Sequence, residues 1–215
     1  MLILIDNGHG LMTPGKRSPD GKFLEYAYTR EIATRIVADL TDRGYNAQLL
    51  VPETEDIPLS ERVRRINAAC ISQQSSPAPH QSSPARPGIS PTGHPNVILI
   101  SIHVNAAGNG TKWLNATGWS CYTSKGQTQS DKLADCLYQA ATKNFPGKRI
   151  RTDYSDNDPD WEENFYILRH SLCPAILTEN FFMDNHSDLE YLQSRTGKQA
   201  IVDTHVEGIT EYLSR

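Results

Sequence analysis

The sequence predicts an α/β fold: a single domain of three layers, αβα, built on a mostly parallel, twisted sheet. Aliphatic runs of strand length alternate with amphipathic segments of helix length along the chain. That alternation is the pattern of parallel strands covered on both faces by crossover helices. A length of 215 residues supports one sizeable core, and 38% apolar residues supply it.

"LILID" (2–6) opens as a buried strand. From about Tyr28 to Asp42 the spacing predicts a helix, with Ile32, Ile36, Val37 and Leu40 on one face and Gly44 as its stop. "AQLLV" (47–51) is a second strand, and a helix starting near Leu59 carries Val63 and Ile66 inward. "NVILISIH" (96–103) is the strongest strand and belongs at the centre of the sheet. "ATGWSCYT" (116–123) reads as a strand, and residues 129–145 as a helix with Leu133, Leu137 and Ala141 in register. "PAILTE" (174–179) is another short buried strand, and a last helix runs from about Lys198 to Leu213.

One segment breaks the order. Residues 72–95 are dominated by serine and proline, with almost nothing to bury, where a short connection is normal. They read as a surface insertion within a domain spanning 1–215, in preference to a lid over a site.

The net charge of −4 provides no basic field, so nucleic acid is not the expected partner. No apolar run reaches the length of a membrane span. The start lacks the basic and small-residue pattern of a signal peptide, so synthesis in the cytoplasm is expected. Cys70, Cys121, Cys136 and Cys173 show no CxxC spacing and read as small buried thiols. The acidic stretch 153–163 starts like a calcium loop at Asp156, Asp158 and Asp160. Trp161 and Ile167 then occupy the positions where an EF-hand needs glycine and glutamate, so that reading fails and a solvated loop is expected.

Ligands of an open parallel sheet bind outside the carboxyl ends of its strands. Three such ends carry chemistry here: "DNGHG" with His9, "SIHVNA" with His103 and "LTENFF" with Glu179. One histidine at a strand end is usually a core or loop residue; two, with a glutamate on a third strand, suggest convergence. Two imidazoles suit zinc, which takes three protein ligands in a catalytic site. Spacing leaves the third open among Glu25, Glu31, His80, His94, His170 and His186; a helical Glu31 reads as a solvated residue, while Glu25 can face the sheet edge. Asp6 and Asn105 are candidates to orient His9 and His103. Gly8 and Gly10 can adopt backbone angles closed to other residues and leave room beside the imidazole.

"LIDNGHG", Glu25, the "PLSER" helix start, "SIHVNA", Gly118 and "PAILTENFFMDN" occur in an order that resembles the motifs of zinc-dependent N-acetylmuramoyl-L-alanine amidases of the amidase-3 family. The resemblance implies a roughly six-stranded sheet, Zn2+ held by His9, Glu25 and His103, Glu179 as the catalytic carboxylate, and peptidoglycan or a muropeptide as substrate. It also implies action at the cell wall. The chain departs from the family at Asn7, where proline is common, at Phe181, where glycine is common, and at Val51-Pro52-Glu53, where an arginine often ends the second strand.

The implied reaction is hydrolysis of the amide between the lactyl group of N-acetylmuramic acid and L-alanine. Zinc lowers the pKa of water from about 15.7 to about 7, and Glu179 serves as general base and then general acid. A zinc peptidase is the rival, but Glu25 stands sixteen positions beyond His9, unlike the short HxxE or HExxH spacing. A catalytically silent wall-binding module is the second rival; the presence of all four site residues counts against it.

Overall fold

The computed structural model describes residues 1–74 and 96–215. Most of the Ser/Pro-rich insertion lies outside the described residues, together with His80, His94 and the question of a lid. Residues 72–74 belong to a helix, so the insertion starts later than its composition suggests.

The strands are β1 (Leu2–Asn7), β2 (Asn46–Leu49), β3 (Val97–Asn105), β4 (Ser120–Thr123), β5 (Trp161–Glu162) and β6 (Ala175–Phe182). The helices are α1 (Glu25–Asp42), α2 (Leu59–Gln74), α3 (Gln129–Asn144), α4 (Tyr166–His170), α5 (His186–Gln193) and α6 (Arg195–Ser214). One six-stranded sheet runs in the order β2-β1-β3-β6-β4-β5, as the fold class requires. Its pairs are parallel except β4 against β6, which is antiparallel.

The strands alternate with period two, and each face has its own core. Ile3 and Ile5 of β1, Ile98 and Ile100 of β3 and Ile176 of β6 pack on one side with Ile32 and Ile36 of α1, Leu133 and Leu137 of α3, and Val202 and Val206 of α6. Leu2, Leu4, Val97, Leu99, Ala175 and Leu177 point the other way, onto Val63 and Ile66 of α2 and Ile167 and Leu168 of α4. This second face matters for function. Following it towards the carboxyl ends of the strands, the aliphatic residues give way to Asp6, Ser101, His103 and Glu179.

Five elements differ from expectation. Helix α1 starts at Glu25, three residues early, because the Glu25 amide bonds the Lys16 carbonyl at 3.0 Å and an Arg17–Leu24 bridge fixes the entry; apolar periodicity starts only at Tyr28. Strand β4 is shorter than 116–123: Gly118 sits at φ +113° with Trp119 in an isolated bridge to Ile150. The short β5, α4 and α5 were not expected. No described helix is long and apolar enough to cross a membrane, and all four cysteines are free and buried.

Candidate metal centre

His103 and Glu179 are register partners on the adjacent strands β3 and β6. Their side chains therefore leave the same face of the sheet. Asp6 and Ser101 are partners across β1 and β3 one step earlier, so this polar row continues the α2-facing core.

Glu25 reaches the row from the first residue of α1. Its Oε1 accepts the Val104 amide at 3.0 Å and lies 3.2 Å from His103 Nδ1 and 3.5 Å from His9 Nε2. The helix N-terminus favours a carboxylate there. Burial opposes the charge, but the His103 hydrogen bond and the neighbouring histidines outweigh it and lower the Glu25 pKa. Burial likewise works against a charged His103, yet Glu25 holds its pKa above the ordinary value. Burial takes His9 down to about 4, leaving it neutral. Glu179 goes the other way, pushed up to about 7 by burial first and then by Glu25, against His103.

His9 owes its place to an unusual backbone. Its φ is +62°, in the left-handed region, whereas Gly8 and Gly10 are not. The expectation that the glycines would take the special angles is thus corrected: the histidine takes one, and the glycines supply space. A Cβ on Gly8 would stand 2.4 Å from the His103 ring, and one on Gly10 2.3 Å from the Asp56 backbone. Such a conformation persists only when its surroundings over-determine it. Here Arg30 and Arg62 both donate to the His9 carbonyl, at 3.0 and 3.2 Å, and Thr29 donates to the Gly8 carbonyl at 3.0 Å.

Asp6 does not hydrogen-bond His9, contrary to expectation. Its two oxygens accept Arg62 Nη1 and Ser101 Oγ, both at 2.6 Å, because a carboxylate sealed in a strand needs a cation closer than an imidazole at the strand's end. Asn105 does not orient His103 either; its Oδ1 accepts the Ala106 amide beside it, and Glu25 takes the imidazole instead. Arg30 and Thr29 were missed by sequence reasoning, and Arg62 entered it only as the last letter of the "PLSER" helix start, with no role assigned. A helical arginine reads as solvated, but the aspartate at the end of a buried strand was a signal that a cation had to come from elsewhere in the chain.

The remaining candidates lie apart from the centre. Glu31 is exposed and bonds Lys198 at 2.6 Å. His170 stacks on Tyr166, and His186 on Trp113 with ring centroids 3.7 Å apart. His205 is fully buried between Thr178 Oγ1 and the Ile201 carbonyl.

His9, Glu25 and His103 each offer a ligand atom within 4.8 Å of the other two. His9 Nε2 and Glu25 Oε2 are buried with no hydrogen-bond partner, as is Glu179 Oε2. Buried polar atoms are normally paired, and two imidazoles with one carboxylate are the donor set of a zinc site with open positions. The residues present fit such an ion. His9, His103 and Glu179 line a pocket of about 530 Å³, whose other walls include Lys16, Arg62, Phe165 and Tyr166.

An α/β sheet that carries a candidate metal cluster of two histidines and one glutamate at its carboxyl edge is the class the fold and the site define. Within it, the profile of the family described as N-acetylmuramoyl-L-alanine amidase, Amidase_3, matches residues 3–211, and this chain belongs to that family. The endolysin of Bacillus phage SPP1 is 25% identical over 217 residues, covering 99% of this chain and 66% of that protein. The sporulation-specific N-acetylmuramoyl-L-alanine amidase of Bacillus subtilis strain 168 is 25% identical over 216 residues, covering 97% of this chain and 67% of its own length. This chain thus spans about two thirds of these relatives. Among solved structures, the N-acetylmuramoyl-L-alanine amidase from Clostridium difficile 630 matches with a TM-score of 0.74 at 24% identity, over 99% of this chain and 96% of the other. That likeness concerns the fold.

Proposed function

We propose that residues 1–215 form one catalytic unit that hydrolyses the amide between the lactyl group of N-acetylmuramic acid and L-alanine in peptidoglycan, with His9, Glu25 and His103 as ligands of Zn2+. The carrying observation is the register of His103 with Glu179, which sets a candidate ligand and a candidate base side by side over one pocket. Family membership and the relatives' names support the bond assignment. His9, Glu25 and His103 would hold the zinc ion, which when bound would supply Lewis acidity for polarising an amide carbonyl and for lowering the pKa of water towards neutrality.

The chain's own residues supply the rest. Glu179, with a pKa raised to about 7, is matched to take a proton from water and return it to the departing amine nitrogen. The amine leaves as a neutral group, because an expelled amide anion is too basic. Glu25 and the two arginines on the His9 carbonyl hold the imidazoles before substrate arrives, so little reorganisation accompanies reaction. The site of action follows as the cell wall.

Digestion of purified peptidoglycan by zinc-loaded wild type and by Glu179→Ala, with products read by mass spectrometry, tests this reading. Wild type releases intact stem peptides; Glu179→Ala keeps the metal and releases none. Cuts inside the peptide would transfer the function to a zinc peptidase, and murein binding without products would make the chain a binding module.

A further inference from the structure

A second group of ligating side chains lies on the other half of the sheet. Asp131, in the first turn of α3, Asp158 and Asp160 each present a carboxylate oxygen within 4.8 Å of the other two. Asp160 is 1% exposed, so the solvated loop expected for 153–163 is corrected at this point. Each carboxylate is anchored by one neutral donor. The Thr128 amide holds Asp131 in the α3 capping box, Gln127 Nε2 donates to Asp158 Oδ2 at 2.8 Å, and Thr123 Oγ1 donates to Asp160 Oδ2 at 2.6 Å. The opposite oxygens, Oδ1 of Asp158 and of Asp160, are buried and accept no hydrogen bond.

Among the described residues, none of the three aspartates is paired with lysine, arginine or histidine. Burial first, then the neighbouring aspartates, raise the Asp160 pKa to about 7 and raise that of Asp131.

We propose that Asp131, Asp158 and Asp160 form a second cation site, taking a hard, oxygen-preferring divalent ion of the calcium class. The ligand chemistry separates it from the centre at His9, Glu25 and His103. It offers oxygen donors only, from three carboxylates, and calcium completes six to eight oxygens with water. It is not an EF-hand, because its ligands come from two distant segments. Its effect is to tie the 153–160 loop to the start of α3. Five residues beyond Asp160 the chain forms the Phe165–Ile167 wall of the pocket, so the ion steadies that wall.

Calcium chloride added to the intact protein, with its zinc retained, tests the site by calorimetry and thermal unfolding. Terbium(III), excited through the adjacent Trp161, reports the same position directly. One calcium per chain is expected, with Tm rising by about 5 °C or more at a hundredfold excess over Kd. Asp158→Asn and Asp160→Asn lose both responses and the terbium emission; His103→Ala keeps them. Asp158 is only partly buried, so its variant carries the test if Asp160→Asn does not fold. The proposal is overturned if millimolar calcium leaves wild type unchanged, if the response survives both aspartate changes, or if it disappears with His103→Ala.

Discussion

Arg62 and Asp6 form a sealed ion pair, Nη1 to Oδ1 at 2.6 Å, with side chains 3% and 2% exposed. The same guanidinium donates to the carbonyls of Ile57, Asn7 and His9. One helical side chain thus fixes the end of β1, the start of α2 and the backbone of a candidate ligand.

Removing one member of such a pair is far worse than removing both, because it strands a buried charge. Arg62→Met is expected to cost about 3–5 kcal/mol in urea denaturation. The double change with Asp6→Asn should recover much of that loss. Strict additivity of the two single changes would show that the pair is not coupled.

Gly8→Ala tests the space beside His103. The new methyl would meet the ring at 2.4 Å, and that ring is held by Glu25 and cannot swing freely. Zinc affinity, measured by competition with a chromophoric chelator, is expected to fall about 10–100-fold, the range seen when support for a ligand is lost. Far-UV circular dichroism should stay unchanged. Unaltered affinity would mean that the ring position does not set metal binding.

His205 predicts an acid limit to stability. Burial lowers its pKa to about 4, below the 6.5 of an unfolded chain. The native state therefore excludes a proton that the unfolded state accepts. Its contribution is complete above about pH 6.5 and is lost as pH falls towards 4, amounting to about 3 kcal/mol. Denaturation midpoints of wild type should drop across that window, and those of His205→Gln should drop less. Parallel curves would refute the assignment.

Phe181 pits backbone against packing. Its φ of +63° is unfavourable for a residue with a Cβ by about 1–2 kcal/mol. Yet its ring is fully buried, edge-on to Phe145 and Tyr191 at 5.1 Å each. Truncating such a ring costs about 3–5 kcal/mol. Packing wins, so Phe181→Gly is expected to destabilise by about 2–3 kcal/mol, measured by urea denaturation. A gain in stability would show that backbone strain dominates.

Long elements were legible in the sequence because they are long. The β1, β3 and β6 runs and the amphipathic α1, α3 and α6 carry enough residues to display a period. The two residues of β5 and five of α4 cannot, and their existence rests on tertiary contacts. The antiparallel course of β4 left no local mark either, since its apolar pattern is the same in both directions. His9, His103 and Glu179 could be placed together because strand ends of a parallel sheet share an edge. The role of Arg62 could not be read: "PLSER" marks a helix start, but its partner Asp6 is 56 residues away and no periodicity points Arg62 inward.

The turn at Phe181 bears on how relatives of this chain are found. A search keyed to glycine at that step would pass it by, whereas one keyed to a left-handed backbone angle two residues after the glutamate would retrieve it. In this chain a left-handed step stands without glycine, held in place by the buried ring of the residue that fills it.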